Sequence, residues 1–283
     1  MKFSVLMSIY KKENPQYLKE SLESILHQTI LPNEIVIVED GPLTESLYAV
    51  LDAYVEKYPF IRRIPFKENR GLGLALRDGV LACKNEWIAR MDTDDIAKPE
   101  RFERQISFLK EHPNVSLLGT GIEEFSQIIN KPDSITILPE TNEEILQFAK
   151  RRNPFRHMTV MFNREAVLKA GNYRHFLWFE DYDLWIRMLV QGYKAFNLPE
   201  VLVFVRANKS MFARRGGWKY LKQDLKFQIF LYKIGIVGGL IAFQNIFVRC
   251  IVRIMPNKVR VWIYQTFLRD KILVERVKNG IKC

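Results

Sequence analysis

Residues 87–95 read WIARMDTDD, an apolar run that ends in three aspartates. Two earlier stretches have the same form, FSVLMSIY at 3–10 and IVIVED at 35–40. If the apolar runs are parallel strands, the polar residues that follow them lie along one edge of a sheet, and open α/β sheets bind ligands at that edge. The pattern therefore predicts one polar site that is built from distant parts of the chain.

Apolar runs alternate with amphipathic segments through the first hundred residues. A helix is predicted from Pro15 to Gln28 after the first strand, and another at 44–57 after the second. The other predicted elements are strands at 61–66, 87–91, 115–119 and 201–205 and helices at 71–84, 99–112 and 181–191. The alternation predicts βαβ units and a mainly parallel sheet. After residue 119, Pro132, Pro139 and Pro154 break the chain into short pieces, so we expect mixed or antiparallel strands there.

Size and cysteine content limit the class of protein. The chain has 283 residues, of which 48% are hydrophobic, enough for one large core and an extension. Its three cysteines share no metal-ligand spacing, and an odd number does not suit a disulfide framework, so a reducing cytosol is expected. The first apolar run is too short for the core of a signal peptide.

Positive charge is concentrated at the carboxyl end. The segment from Arg206 onward holds 17 of the 43 Lys and Arg but only three of the 32 Asp and Glu. Interleaved aromatic residues make this composition suitable for anionic lipid headgroups, and we expect peripheral attachment to an anionic membrane surface. A helical hairpin that packs on the rest of the chain or on a second subunit is the alternative. Nucleic acid is disfavoured because the acidic first part would repel phosphates.

The apolar stretch Ile234–Val248 is the most hydrophobic part of this region. At fifteen residues it is shorter than the roughly 20 that a spanning helix needs, so it is predicted as one interfacial or core helix.

The aspartates of MDTDD are a candidate metal site. Asp92 and Asp94 stand two residues apart, so in an extended segment their side chains point the same way. Carboxylate oxygens suit Mg²⁺ or Mn²⁺, which bind through one or two carboxylates together with substrate phosphates. An acidic turn that caps the next helix is the structural alternative.

Two further motifs favour a nucleotide. Asp40 could accept a hydrogen bond from a base N–H, although Asp and Gly also occur in ordinary turns. Asn69–Gly73 resembles a phosphate cradle at a helix amino terminus, with Arg70 as its candidate cation. Arg206, Arg214 and Arg215 could clamp a diphosphate or belong to a basic surface.

Glu180 and Asp181 begin a predicted helix, where the helix dipole holds a carboxylate ionised, as suits a general base. A plain helix cap is the alternative. His157 could bind a phosphate or a metal, or be a structural residue.

Taken together, these motifs resemble the inverting family 2 glycosyltransferases with a GT-A fold, in particular bacterial enzymes of capsular and exopolysaccharide assembly similar to the amylovoran type. The resemblance covers roughly residues 3–206 and is carried by SVLMSIYKKENPQYLKESLESILHQTILPNEIVIVEDGP, ENRGLGLALRDG, WIARMDTDD, NPFRHMTVMF and FEDYDLWIRM. It implies an α/β fold with a Rossmann-like nucleotide-binding sheet flanked by helices. Residues 1–210 would form the catalytic domain, with nucleotide-sugar binding in 1–98 and the acceptor part in 99–210, and 211–283 a basic helical extension.

The resemblance also implies roles for single residues. Ser8 and Tyr10 would line the nucleobase pocket, Asp40 would hold the uracil edge, Arg70 would approach the ribose or phosphates, and Asp181 would be the catalytic base. The donor-binding set implied as a whole is Ser8, Tyr10, Glu39, Asp40, Arg70, Asp92, Thr93 and Asp94. The resemblance implies Asp94, with Asp95 beside it, as the Mn²⁺ or Mg²⁺ ligand, and His157 is expected as a further ligand. The chain departs from the common family pattern at Glu39, where aspartate is frequent, and at Arg77, where asparagine is frequent.

These roles describe transfer of a sugar from a nucleotide sugar, with UDP-sugars expected first, to a saccharide acceptor that is expected to be lipid-linked. The expected place is the cytoplasmic face of the inner membrane, with a homo-oligomer left open. A glycoside hydrolase that uses Asp181 with another carboxylate, and an inactive membrane-associated scaffold of the same fold, are the alternatives.

Overall fold

A mixed sheet of nine strands forms the centre of the part of the chain that a computed structural model describes, which is residues 1–126, 128–129, 131–206 and 217–254. The strands are β1 (Phe3–Ile9), β2 (Glu34–Glu39), β3 (Ile61–Pro65), β4 (Trp87–Arg90), β5 (Ile96–Ala97), β6 (Val115–Phe125), β7 (Ser134–Thr136), β8 (Met161–Asn163) and β9 (Lys194–Arg206). The helices are α1 (Pro15–Leu26), α2 (Glu45–Lys57), α3 (Leu72–Ala82), α4 (Arg101–Glu111), α5 (Asn142–Ala149), α6 (Arg164–Lys169), α7 (Glu180–Val190), α8 (Trp218–Lys233) and α9 (Gly239–Ile254).

The first half of the sheet is parallel and the second half is mixed, as the sequence predicts. Strand order is β3-β2-β1-β4-β8-β6-β9-β5, and β7 pairs with β6. The pairs β3–β2, β2–β1 and β1–β4 are parallel, whereas β8 runs antiparallel to both β4 and β6. The alternation of strands and helices up to β4 therefore produces the βαβ units that the periodicity predicted.

The carboxyl ends of β1, β2 and β4 lie side by side. Two backbone hydrogen bonds continue the pairing past the strand ends, Asp40 N to Ile9 O at 2.8 Å and Met91 N to Leu6 O at 3.1 Å. The residues that follow these strands thus meet at one edge of the sheet. This is the arrangement predicted from the three apolar runs.

Buried residues fill both faces of the sheet, and one helix is buried on nearly all sides. Residues 182–189 of α7 are all buried, with Trp185 against the rings of Phe155, Phe162 and Tyr173. The sequence predicted that only one face of this helix is buried. The structure buries the polar face as well, because Asp183 and Arg187 form an ion pair of 2.7 Å there. The start of α7, which carries Asp181, is therefore fixed by the core.

Only part of the apolar stretch Ile234–Val248, which was predicted as one helix, is helical. Residues 234–238 connect two helices, and the rest of the stretch belongs to α9. Helix α8 ends at Lys233, Gly235 has φ +81°, and α9 begins at Gly239. A positive φ is strained for any residue but glycine, so Gly235 ends the first helix. Among the described residues, no helix is both long enough and apolar enough to cross a membrane.

Gly79 lets α3 pack closely on the sheet, and its replacement is expected to destabilise the fold. A Cβ at Gly79 would lie 2.5 Å from Leu6 Cδ1 and 3.0 Å from Val38 Cγ2, two fully buried side chains. We expect Gly79→Ala to lower the free energy of unfolding by about 1–3 kcal/mol because the core is overpacked there. Urea unfolding measures it.

Gly238→Ala is the matched control, since no atom lies within 4 Å of its Cβ position. Equal stability of the two variants would show that the contact between α3 and β1 is not tight.

Candidate active site

An acidic cluster lies directly after β4 at the carboxyl edge of the sheet. One carboxylate oxygen from each of Asp92, Asp94 and Asp95 lies within 4.8 Å of the others. Asp92 and Asp94 are partly exposed, whereas Asp95 is 2% exposed. The Ser21 hydroxyl donates to the Asp92 carbonyl at 2.8 Å, so α1 holds the turn in place.

The carboxylates of this cluster repel one another. Burial, followed by the charge of Asp92, raises the pKa of Asp94 to about 6. Burial and the charges of Asp94 and Asp92 raise the pKa of Asp95 well above its usual range. A divalent cation would relieve this repulsion, and an all-oxygen donor set matches Mg²⁺ or Mn²⁺. The residues present therefore fit such an ion.

Arg90 is a functional candidate that the sequence analysis missed, because it treated WIARM as an apolar run. Its side chain is buried at the end of β4, and Nη1 lies 2.5 Å from Asp92 Oδ1. Burial raises the pKa of Asp94, Asp95, Glu180 and Asp181, and the positive charge of Arg90 offsets part of that rise in all four. One buried guanidinium, paired directly with Asp92, is therefore electrostatically coupled to both sets of carboxyl groups. A charged residue inside an apolar strand was the available signal.

Asp181 is oriented by two hydrogen bonds in the first turn of α7. Asn153 Nδ2 donates to Oδ2 at 2.6 Å, and the Tyr182 backbone N donates to Oδ1 at 2.7 Å. Burial raises the pKa of Asp181, while these two donors and Arg90 lower it. Each oxygen keeps a lone pair that can accept a proton. Asn153 was quoted in a motif but given no role.

Glu180 stands beside this carboxylate in a different environment. Burial, together with the charge of Asp181, raises the pKa of Glu180 to about 7. Two neighbouring carboxyl groups with different proton affinities can take different roles, one ionised and one protonated.

Asp40 organises the loop before α3. Oδ1 accepts from Arg70 N at 2.6 Å, and Oδ2 accepts from Gly71 N and Asn69 Nδ2, each at 2.9 Å. The Arg70 guanidinium lies 3.0 Å from Asp78 Oδ2 and 4.6 Å from the Phe66 ring centroid. The structure thus joins the two motifs that the sequence analysis treated separately.

The remaining predicted residues have varied surroundings. Ser8 and Tyr10 are partly exposed at the end of β1, and Thr93 is buried inside the acidic turn. The carboxylate of Glu39 is paired with Arg63, and Arg77 Nε donates to Asp78 Oδ1 at 2.9 Å.

His157 lies outside the carboxylate cluster. Its Nε2 is 2.9 Å from the Tyr173 hydroxyl, and its ring contacts Trp185 edge-on. Burial and the charge of Arg90 lower its pKa well below the usual range, so the imidazole is neutral. The metal-ligand role of His157 stays a prediction to which this packing gives no support.

Arg206 is the only one of the three suggested diphosphate-binding arginines that lies within the described residues, since Arg214 and Arg215 fall outside them. Its guanidinium pairs with Glu20 and stacks 4.1 Å from the Tyr17 ring centroid. Its backbone N donates to Asp95 Oδ1 at 3.0 Å. Arg206 thereby ties the end of β9 to the acidic cluster.

Removing the Asp40 carboxylate should loosen the loop before α3. In Asp40→Ala, the partly buried N–H groups of Arg70 and Gly71 lose their acceptor, and we expect the free energy of unfolding, measured with urea, to fall by roughly 1–3 kcal/mol. Asn69→Ala is the control and should cost less, because it leaves both backbone N–H groups bonded to Asp40. If both variants were equally destabilised, the carboxylate would not be what organises the loop.

Comparison with known proteins gives concordant matches. The model of the family described as Glycosyl transferase family 2 matches residues 4–175. Amylovoran biosynthesis glycosyltransferase AmsE of Erwinia amylovora is 42% identical over 266 residues, 93% of this chain and 98% of that protein. The Escherichia coli protein named UDP-Gal:alpha-D-GlcNAc-diphosphoundecaprenol beta-1,3-galactosyltransferase is 35% identical over 268 residues, 95% of this chain and 97% of its own.

A solved structure has the same fold. The crystal structure of a fragment of S. aureus TarS in complex with UDP-GlcNAc superposes with a TM-score of 0.66, covering 87% of this chain and 70% of that one. Sequence identity in this match is 16%, so it speaks for the fold alone.

Proposed function

The chain belongs to glycosyl transferase family 2 and has the GT-A fold, and on that premise we propose that it transfers a sugar from a UDP-sugar to a lipid-linked saccharide with inversion at the anomeric carbon. The observation that carries the proposal is the close cluster of Asp92, Asp94 and Asp95 at the carboxyl edge of the sheet, together with an Asp181 carboxylate held by two hydrogen bonds and coupled to the same buried Arg90. The aspartate cluster suits a divalent cation that would bind the donor diphosphate, and Asp181 suits a general base.

In this proposal the nucleotide lies along the carboxyl edge of β1 and β2. Ser8 and Tyr10 line the base pocket, and Asp40 fixes the loop whose backbone and Arg70 approach the ribose and phosphates. Partial exposure of Ser8, Tyr10 and Arg70 and the hydrogen bonds from the loop to Asp40 support this arrangement.

Asp94 and Asp95, with Asp92 beside them, would hold Mn²⁺ or Mg²⁺ between the protein and the diphosphate. When bound, such an ion neutralises charge that develops on the leaving phosphate. The closeness of the three carboxylates and the raised pKa of Asp94 support this assignment.

The chemical step uses Asp181 as the base. Its carboxylate accepts the proton of the acceptor hydroxyl, and the hydroxyl oxygen forms a bond to the anomeric carbon from the face opposite the diphosphate. The bond between the anomeric carbon and the phosphate oxygen breaks, and its electron pair leaves with UDP. Asn153 keeps the carboxylate in position, as the 2.6 Å hydrogen bond indicates. One displacement inverts the configuration.

The relatives support the donor and acceptor classes. The E. coli relative is named for transfer from UDP-Gal to GlcNAc on diphosphoundecaprenol, and the E. amylovora relative for amylovoran biosynthesis. We therefore assign this chain a UDP-sugar donor and a diphosphate-lipid-linked acceptor, and place it at the cytoplasmic face of the inner membrane in surface polysaccharide synthesis. Residues 1–98 then bind the donor, 99–210 the acceptor, and 211–283 the membrane.

Calorimetric titration with UDP, GDP and dTDP, each with Mn²⁺ and with chelator, tests the donor assignment. Binding of UDP that needs the metal, and is stronger than that of the other two nucleotides, is expected. Failure of all three to bind would contradict the proposal.

A further inference from the structure

Two polar side chains of helix α9, Asn245 and Arg249, are turned toward the protein. Asn245 Nδ2 donates to the Lys150 carbonyl at 2.9 Å, at the end of α5. Arg249 donates through Nη1 to Asp224 Oδ1 of α8 and through Nη2 to the Arg151 carbonyl, both at 2.7 Å. These contacts fix the orientation of α9 on the described residues.

The opposite side of the same helix is apolar and exposed. The spacing 240, 243, 247 and 251 places four side chains on one face of a helix, and Val248 borders it. The exposed fractions are Leu240 72%, Phe243 67%, Phe247 58%, Val248 57% and Ile251 42%. The Phe243 and Phe247 rings stack with centroids 6.5 Å apart, and the polar Gln244 is also exposed on this side. A surface helix in water turns its apolar side toward the protein and its polar side toward the solvent. Helix α9 exposes an apolar face instead, which indicates that this face contacts an apolar environment.

The neighbouring helix supplies positive charge. Lysines 219, 222, 226 and 233 of α8 are exposed, and Trp218 is 79% exposed beside them. Long cationic side chains and a tryptophan are suited to the headgroup level of an anionic bilayer. A second copy of the chain would instead bring like charges together, in a region whose cations outnumber its anions by 17 to three. Charge complementarity thus favours lipid over self-association.

We propose that α9 lies in the plane of an anionic bilayer with Phe243, Phe247 and their apolar neighbours inserted at the headgroup–acyl boundary, while the lysines of α8 contact the headgroups. The inference deepens the proposed function, on whose lipid-linked acceptor it rests, by naming the docking face.

The docking face is connected to the candidate base through a short segment. Helix α9 bonds the carbonyls of Lys150 and Arg151, and two residues further on Asn153 holds Asp181. Because these hydrogen bonds hold α9 on residues 150–153, a bilayer on the outer side of α9 would have a fixed position relative to the segment that orients Asp181. In the proposed arrangement the lipid of the acceptor would stay in that bilayer while its saccharide binds near Asp181.

Vesicle flotation of the full chain tests the proposal with no donor or acceptor present. Wild type should float with phosphatidylcholine–phosphatidylglycerol vesicles and far less with pure phosphatidylcholine. Replacing both aromatic rings, in Phe243→Gln with Phe247→Gln, should weaken vesicle binding by about 100-fold or more, because two apolar side chains no longer enter the bilayer. Leu31→Gln with Leu81→Gln is the matched control, since these leucines are 52% and 55% exposed outside α8 and α9, and it should bind like wild type.

Undiminished flotation of the Phe243–Phe247 variant would overturn the proposal. The proposal would also be overturned if wild type did not bind anionic vesicles but formed a dimer in light scattering, and the Phe243–Phe247 variant were a monomer. The apolar face would then bind a second copy of the chain. Metal-dependent UDP binding by each variant checks that it is folded. If wild type floated with anionic vesicles but did not bind UDP, the proposed function would be wrong and the docking face would stand, since flotation does not require UDP binding.

Discussion

Asp181→Asn should lower kcat for sugar transfer by about 10²–10⁴-fold, the range for loss of a general base, while UDP binds as before. The variant keeps the size of the side chain and an oxygen that can accept from the Tyr182 backbone N. It cannot accept the proton of the acceptor hydroxyl. Steady-state transfer to a synthetic lipid-linked acceptor measures kcat, and calorimetry measures UDP affinity.

Glu180→Gln is the matched control for that substitution. It changes the neighbouring carboxyl, whose pKa is about 7 and which carries a proton for much of the time at neutral pH, so its effect on kcat should be smaller. If the Glu180 variant lost more activity than the Asp181 variant, the assignment of the base to Asp181 would be wrong.

The proposed base should also set the acid side of the pH dependence. Because burial raises the pKa of Asp181, the fraction of ionised base falls as pH drops through a value above the ordinary aspartate pKa of about 3.9. The kcat of wild type should therefore decline on the acid side at a higher pH than a solvent-exposed aspartate would give. A pH profile that stays flat down to about 3.9 would contradict this.

Asp94→Asn should reduce metal-dependent UDP affinity by about 100-fold or more, because it removes a proposed metal ligand. Mutation of a residue that only hydrogen-bonds to a metal ligand already lowers metal affinity by about 10–100-fold. It also removes one of three mutually repelling charges, so the apo protein should not lose stability. Titration of UDP with Mn²⁺ and with chelator measures the loss, and urea unfolding checks the fold.

Asp52→Asn is the control for charge alone, since Asp52 is an exposed carboxylate on α2 that pairs with Arg63 and takes no part in the cluster. It should bind UDP like wild type. Retention of full metal-dependent affinity by the Asp94 variant would show that the cluster is only an acidic turn.

The sequence predicted the parallel half of the sheet and the edge where the candidate site lies. Strands β1 and β2 are buried on both faces, so they are continuous apolar runs, and the polar residues that end them stand out in the sequence. The meeting of residues near 10, 40 and 92 followed from parallel neighbours alone. Local periodicity was enough to predict this half of the sheet, because its parallel strands are joined by short βαβ connections.

Contacts made by tertiary packing could not be predicted in the same way. The roles of Arg90 and Asn153 depend on which segments face them across the fold, and neither has a local signature. The composition around α9 predicted a membrane surface, but its inward polar side is visible only once α5 and α8 lie against it. Pairing of Asp40 with the loop after β3 likewise joins residues about thirty positions apart.

The stereochemistry of the product tests the central claim most directly. Wild type would be incubated with each of a panel of UDP-α-sugars and a lipid-linked saccharide, and the linkage formed from the donor that reacts would be examined by NMR. The account predicts a β-linkage that forms with wild type and is nearly absent with Asp181→Asn. An α-linkage, or a β-linkage formed equally well without the Asp181 carboxylate, would contradict it.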